Sequence, residues 1–282
     1  IRVFERYKFT VTENTPIEEE IALDPELLGR VFENLLAAYN PETGATARKQ
    51  TGSFYTPREV VDFMADEALA SVLSRVVGEE QIDDVRHLLA YNDQPHRFSE
   101  SHAARLVEAI DKLKILDPAC GSGAFPMGIL HKLVFVLRKL DPHNERWKQK
   151  QIDKAAEIPD VEARERAVAG IEDAFTKNEL DYSRKLYLIE NCIFGVDIQQ
   201  IAVQIAKLRV FISLVVDQKP NPKLENLGIR PLPNLETRFV AANTLFWPAR
   251  SSQQLLGNDE IYEIEKKLGE VRRRHFEART PP

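Results

Sequence analysis

The chain has 282 residues, of which 43% are apolar and 29% charged, and its formal net charge is −6 at pH 7. This length and composition are typical of one large globular domain or two small ones. The sequence contains no run of eighteen apolar residues, so no membrane span is predicted. The negative charge argues against a surface that binds nucleic acid over its whole extent, although it is compatible with a local basic groove. Two cysteines are too few for a disulfide framework or a zinc site, which fits a reducing cytoplasm.

Residues 1–50 are predicted to form a strand and helix region that leads into the main fold. They lack an initiator methionine and a signal-peptide pattern, as expected of a segment from within a longer protein. Apolar and polar side chains alternate in places before residue 23, which indicates one or two strands. Asp24 and Pro25 then suit the N-cap and first turn of a helix.

A string of turn-forming and hydroxyl residues follows at 51–57, with the letters Thr-Gly-Ser-Phe-Tyr-Thr-Pro. Taken alone, it predicts a loop and then a helix that is capped by Thr56 and has Pro57 in its first turn. Residues 71–113 continue as polar helical sequence with a break near residue 92. Their histidines have no metal-ligand partners at helical spacing, so no metal site is predicted.

The most informative stretch is residues 114–125, Lys-Ile-Leu-Asp-Pro-Ala-Cys-Gly-Ser-Gly-Ala-Phe. A short apolar run ends at Asp117, two glycines follow, and a helical apolar period begins at Ala124. Glycine between a strand and a helix N-terminus allows a ligand to approach the backbone closely, which is typical of a nucleotide site in an open α/β sheet. The alternative interpretation is a tight turn without a ligand. No Gly-Lys-Ser/Thr follows, which excludes a phosphate-binding P-loop, and Pro126 replaces the third glycine of the dinucleotide fingerprint, which disfavours nicotinamide or flavin.

A second buried strand is predicted at residues 191–198, where an apolar run containing Gly195 ends at Asp197. A carboxylate at this position can accept hydrogen bonds from both ribose hydroxyls, although a plain helix N-cap is the alternative. Asp197 lies 74 residues after Gly123 (197 minus 123) because a charged helical insertion at about 141–180 intervenes. A third strand is predicted at 238–247 with Asn243 near its end, and residues 251–282 are predicted to contain a charged helix.

These strings, in this order, resemble N6-adenine DNA methyltransferases of the gamma type, which bind S-adenosylmethionine. Residues 114–125 resemble the family's motif I, residues 51–57 its motif X, residues 191–198 its motif II, and residues 238–247 its motif III. The resemblance implies an α/β fold of the class I S-adenosylmethionine-dependent methyltransferase type, with an incomplete Rossmann-like sheet. The cofactor-binding core would span residues 51–250, with helical insertions at about 71–113 and 141–180.

The resemblance also implies a set of cofactor-binding residues. The Thr56 hydroxyl and the neighbouring backbone would hold the methionine end, Asp197 the ribose, and Ile198 the adenine face. Asn243 stands where the family often has an aspartate that accepts a bond from the adenine amino group. The full predicted set is Tyr55, Thr56, Pro57, Asp117, Pro118, Ala119, Gly121, Gly123, Phe125, Asp197, Ile198 and Asn243.

The family's catalytic motif, Asn/Asp-Pro-Pro-aromatic, does not occur in these 282 residues, so no catalytic residue is predicted. In the family, this motif accepts the hydrogens of the target adenine amine and stacks on the flipped base. We therefore expect a cofactor-binding part of a restriction–modification DNA methyltransferase that does not transfer methyl groups by itself. Its expected partners are double-stranded DNA and nuclease and target-recognition regions of the same polypeptide, in bacterial or archaeal cytoplasm. The alternatives are a non-catalytic methyltransferase-like binding or assembly module and, less favoured, a nicotinamide-dependent oxidoreductase.

Overall fold

A computed structural model of the chain describes residues 56–156, 180–218 and 233–245, with scattered positions between 158 and 169, at 227 and 229, and between 263 and 271. The predicted N-terminal region, residues 1–50, and Tyr55 lie outside the described residues. Within the predicted C-terminal helix, residues 251–282, only five scattered positions are described, and all five are helical.

The described part of the chain consists of a small sheet and of helices that pack on one of its faces and against one another. Before the first strand lie α1 (Arg58–Val77), α2 (Ile82–Leu89) and α3 (Glu100–Lys112), with a short 3-10 turn at Glu79–Gln81 between α1 and α2. The remaining elements, in chain order, are β1 (Ile115–Asp117), α4 (Ala124–Leu140), α5 (Glu145–Ala156), α6 (Leu180–Asn191), β2 (Ile193–Asp197), α7 (Gln200–Val216) and β3 (Phe239–Ala241).

In the part of the chain that the structure describes, three parallel strands form the sheet, in the order β1-β2-β3. Ile115 pairs with Ile193, and Gly195 pairs with Phe239. Neighbouring parallel strands must be joined by crossover connections, which are almost always right-handed. When successive strands are added on the same side, as in the order β1-β2-β3, right-handed crossovers place their helices on the same face of the sheet. Accordingly, α4, α6 and α7 all contact β2. The mixed α/β class and the parallel sheet are confirmed, and they are consistent with an incomplete Rossmann-like fold.

The two faces of this sheet differ in burial. Ile193 and Phe239 point towards the helices and are 2% and 1% exposed, whereas Leu116 and Val240, on the opposite face, are 60% and 39% exposed. The hydrophobic core therefore lies between the sheet and the helices and extends into the bundle of α1, α3 and α4. Every helix in the described part of the chain is too short or too polar to cross a bilayer.

The start of α1 differs from the prediction. Thr56 was expected to cap this helix, but the N-cap residue is Pro57, and no side chain caps the helix. The Pro57 carbonyl accepts hydrogen bonds from the N–H groups of Val60 and Val61 at 3.1 and 3.2 Å. The Pro57 backbone is extended, with ψ 147°, so helical geometry begins only at Arg58. The helix then continues to Val77, past the expected insertion boundary at residue 71.

Candidate functional site

The loop between β1 and α4 is a tight turn that depends on two glycines. Gly121 and Gly123 have φ angles of +53° and +87°, in the left-handed region where side chains with a Cβ are strained. The Gly123 N–H donates to the Cys120 carbonyl at 2.8 Å, and the Gly123 carbonyl accepts from the Met127 N–H at 3.0 Å. The loop therefore passes directly into the first turn of α4, whose N-terminal N–H groups lie at this end of the sheet.

The two glycines have different surroundings. A Cβ atom on Gly121 would meet no heavy atom of the described residues within 4 Å, so the backbone there borders open space on their side. A Cβ atom on Gly123 would lie 3.0 Å from the Cβ of Ala206 on α7. Gly121 is therefore the position where a ligand can approach the backbone, whereas Gly123 allows the loop to pack against α7.

Asp197, at the end of β2, is bonded to the glycine loop. Its Oδ2 accepts from the Gly121 N–H at 2.9 Å, and its Oδ1 accepts from the Gln199 N–H at 2.8 Å. An ionised carboxylate has about four acceptor positions, so two remain for other donors such as hydroxyls. The N-cap alternative for Asp197 is wrong, since the N-cap of α7 is Gln199 and no side chain caps that helix.

Asp117, at the end of β1, is a half-buried carboxylate with an unused oxygen. Its Oδ1 accepts from the Ala119 N–H at 3.1 Å, whereas its Oδ2 is buried and has no hydrogen-bond partner among the described residues. Burial raises the pKa of the Asp117 carboxyl above its ordinary value, the bond from Ala119 opposes this rise, and the Asp197 carboxylate adds to it. A buried acceptor without a donor is rare in folded proteins, and a ligand with an amino or hydroxyl group would satisfy it.

The chain after β3 reaches the same edge of the sheet. The Ala242 N–H donates to the Asp197 carbonyl at 2.9 Å, and the Thr244 hydroxyl donates to the Pro118 carbonyl at 3.1 Å. The Asn243 Oδ1 accepts from the Leu245 N–H at 3.0 Å, so part of its acceptor capacity is used within its own turn. All three strand ends therefore meet at one edge, as parallel strands require.

The direction of helix α1 places Thr56 and Pro57, which precede it and are predicted to bind the cofactor, at the end of the molecule where this edge lies. A Cβ atom on Gly128 of α4 would lie 2.3 Å from Val61 of α1, and five residues further along α1, Asp66 pairs with Lys132 of α4. The two helices therefore run in the same direction, and their N-termini lie at the same end. Thr56 and Pro57, which directly precede α1, are placed on the side of the glycine loop.

The other predicted residues differ in exposure. Ile198 is 66% exposed directly after Asp197, Pro118 and Ala119 are exposed, and Phe125 is half-buried in the first turn of α4. Burial raises the pKa of the Cys120 thiol to about 12, so this side chain stays neutral and serves packing. In the described part of the chain, no group of three or more His, Cys, Asp or Glu side chains could hold a metal ion.

Sequence reasoning missed Arg209 and Ala206 of α7, which both contact the glycine loop. Arg209 is 6% exposed and donates to the Ser122 carbonyl at 3.1 Å. The sequence does mark Arg209 as unusual, because this charged residue lies between Leu208 and Val210 in a strongly apolar predicted helix. The identity of its partner, 87 positions earlier in the chain, is a property of the tertiary structure.

Replacing Asp117 with asparagine is expected to stabilise the ligand-free chain at neutral pH and to weaken ligand binding. Because the pKa of Asp117 is raised in the folded state, its ionisation opposes folding as the pH rises above the unfolded-state pKa. The stabilisation should therefore be present at neutral pH and vanish in acid, where aspartate is protonated in both states. Urea unfolding of both proteins at neutral and acidic pH measures the difference.

The control for this variant is Asp93→Asn, which changes an exposed carboxylate outside the site. This control should show no comparable increase in the free energy of unfolding at neutral pH. Equal stability of the wild type and Asp117→Asn at neutral pH would contradict the assigned burial of the Asp117 charge.

The fold and its site define an α/β protein with a parallel sheet, in which a glycine loop follows β1 and an acid ends β2, consistent with an incomplete Rossmann-like fold. Residues 23–84 match the family model described as N-6 DNA Methylase. The chain is also 28% identical, over 90% of its length, to the Methanocaldococcus jannaschii protein named "Putative type II restriction enzyme and methyltransferase RM.MjaORFECS2P".

These two matches confirm the predicted relationship, and the chain is a relative of N6 DNA methyltransferases. It covers 19% of the length of the curated relative. No solved structure matches the chain.

Proposed function

We propose that this chain is the S-adenosylmethionine-binding part of a DNA adenine-N6 methyltransferase with a class I fold. The observation that carries the proposal is the pair of strand-end carboxylates around the open side of Gly121. Asp197 keeps acceptor positions for a diol. Among the described residues, no donor reaches the buried Asp117 oxygen, and no atom occupies the space beside Gly121. A nucleoside that also carries an amino group supplies the donors that these atoms lack.

The residues present fit S-adenosylmethionine in the following arrangement. Asp197 accepts bonds from the ribose hydroxyls, and the exposed Ile198 covers one face of the adenine. The Asp117 Oδ2 accepts a bond from the amino group of the methionine part, beside Thr56 and Pro57. Asn243 offers an acceptor for the adenine amino group. Tyr55, which lies outside the described residues, stays a proposed cofactor-binding residue. When bound, the cofactor supplies a methyl group on a positively charged sulfur, which is open to nucleophilic attack.

Methyl transfer needs a second set of groups that activates the target amine. The 282 residues contain no Asn-Pro-Pro-aromatic string. We therefore propose that these residues bind and orient the cofactor but do not transfer the methyl group by themselves. The second candidate is a non-catalytic binding or assembly module, whose polypeptide would lack this string beyond the present 282 residues as well.

The partners are proposed from the relative. Its printed name combines a restriction enzyme with a methyltransferase, and the present chain covers 19% of its length. We propose double-stranded DNA as the partner, with nuclease and target-recognition regions on the same polypeptide, in the cytoplasm of a bacterium or archaeon. The matching residues 23–84 include the predicted motif X string, which supports assignment to the methylase part.

The experiment is a calorimetric titration of the chain with S-adenosylmethionine, S-adenosylhomocysteine and a nicotinamide dinucleotide. The expected result is one-to-one binding of the first two and no binding of the third. Binding of the dinucleotide alone would support an oxidoreductase, and a folded chain that binds none of them would contradict the proposal. Transfer of a labelled methyl group to DNA by a chain extended through an Asn-Pro-Pro-aromatic motif would exclude the non-catalytic module.

A further inference from the structure

Arg209 makes a buried contact with the centre of the glycine loop. Its guanidinium Nη1 donates to the Ser122 carbonyl at 3.1 Å and lies 3.4 Å from the Ser122 hydroxyl oxygen. Arg209 is 6% exposed and Ser122 is 2% exposed, so the contact lies inside the protein. Hydrogen bonds from a charged donor are stronger than neutral ones, and more so away from water.

A second contact comes from the same face of α7. Ala206 lies three residues before Arg209, one helical turn away, and its Cβ is 3.0 Å from the position that a Gly123 Cβ would occupy. The loop is therefore held against α7 by hydrogen bonding from Arg209 and by close packing against Ala206. Neither contact involves the open side of Gly121.

Two hydrogen bonds hold the peptide unit between Ser122 and Gly123, one at its carbonyl and one at its N–H group. The Ser122 carbonyl accepts from Arg209, and the N–H of the same peptide unit, on Gly123, donates to the Cys120 carbonyl at 2.8 Å. Two residues before Gly123, the Gly121 N–H donates to Asp197. A rotation of the fixed peptide unit would move Gly121 relative to Asp197.

We propose that Arg209 is a positioning residue, which holds the Ser122 carbonyl against α7 and thereby keeps Gly121 open towards the ligand and bonded to Asp197. The expected effect on cofactor affinity rests on the proposed function. The effect on the loop itself does not, because the contacts are present in the ligand-free chain.

The test compares Arg209→Gln with Arg209→Lys and with Lys207→Gln. Lys207 is a matched control because it is a buried cation on the same helix whose ammonium pairs with Glu236 at 2.6 Å, outside the loop. Amide hydrogen exchange is measured across residues 118–125 and, as a reference for global unfolding, across the buried part of α1. S-adenosylhomocysteine affinity is measured by calorimetry.

The expected result for Arg209→Gln is faster exchange at Gly121 and Gly123, unchanged exchange in α1, and about tenfold weaker binding. Arg209→Lys should recover most of both losses, since an ammonium can still donate to the Ser122 carbonyl. Lys207→Gln should leave loop exchange and affinity near the wild-type values. Ala206→Val, which enlarges the steric contact, should also speed exchange in the loop, and it provides a second test if Arg209→Gln does not fold.

Two results would overturn the proposal. One is wild-type loop exchange in both Arg209→Gln and Ala206→Val. The other is a rise in exchange that is equal in the loop and in α1, which would show a general loss of stability. If the wild-type chain does not bind S-adenosylhomocysteine, the proposed function fails, and the exchange data still decide the role of Arg209 in the loop.

Discussion

Replacing Asp197 with asparagine is expected to weaken S-adenosylhomocysteine binding by about 100-fold. The substitution removes or weakens two hydrogen bonds from the ribose hydroxyls to an ionised carboxylate. Hydrogen bonds to charged groups contribute about 1.5–3 kcal/mol each. A loss of about 1.4 kcal/mol in binding free energy lowers the affinity tenfold. In the protein, the two Asp197 oxygens accept from the N–H groups of Gly121 and Gln199. An asparagine has one acceptor oxygen, so its NH2 group must face one of these N–H donors.

The measurement is calorimetric titration of the wild type, Asp197→Asn and Asp197→Ala. Glu108→Gln is the matched control, because it also replaces a carboxylate by an amide, but on α3, where Glu108 pairs with Lys112 at 2.7 Å at the surface. Its affinity should equal that of the wild type. An Asp197→Asn chain that folds and binds within twofold of the wild type would show that the ribose is held elsewhere.

Local patterns were sufficient to predict the strand, loop and helix around Gly121 and Gly123. The apolar run, the glycine spacing and the helical period all lie within a short stretch, so short-range geometry determines them. The same reasoning located Asp197 at the end of β2, and α5 and α6 occupy part of the long interval between the two motifs.

Contacts between distant residues could not be predicted in this way. The Gly121–Asp197 bond joins residues 76 positions apart, and the Arg209–Ser122 bond joins residues 87 positions apart. Periodicity identifies which helix face is apolar but does not identify the loop that packs there. The prediction that Thr56 caps α1 was wrong for a local reason. The Pro57 backbone is extended, so the helix begins at Arg58, one residue later than predicted.

Replacing Asp66 with alanine is expected to lower the free energy of unfolding by about 3 kcal/mol, because it leaves a buried charge without its counter-ion. The Lys132 side chain is 1% exposed, and its Nζ lies 2.8 Å from the Asp66 Oδ1. Among the described residues, this ammonium also donates to the Leu89 carbonyl at 2.9 Å and lies 3.4 Å from the centroid of the Tyr91 ring. Urea unfolding followed by circular dichroism measures the loss.

Removing the lysine of this pair instead of the aspartate should lower the free energy of unfolding by less. The Asp66 side chain is 33% exposed, so a carboxylate left alone by Lys132→Met can still be hydrated, and methionine fills much of the lysine volume. We expect about 1 kcal/mol for Lys132→Met, and the double variant Asp66→Ala/Lys132→Met should recover most of the loss in Asp66→Ala. Asp62→Ala, on the same helix and paired with the exposed Arg58 at 3.7 Å, is the control, with an expected cost below about 1 kcal/mol.

The order of these costs tests the physical argument more sharply than any single value. If burial of the ammonium determines the effect, Asp66→Ala must cost more than Lys132→Met, although both remove the same ion pair. Equal costs would mean that the ion pair itself, and not the desolvation of Lys132, determines the stability. Because this pair joins α1 to α4 close to the Val61–Gly128 contact, Asp66→Ala should also loosen the packing of α1 against α4.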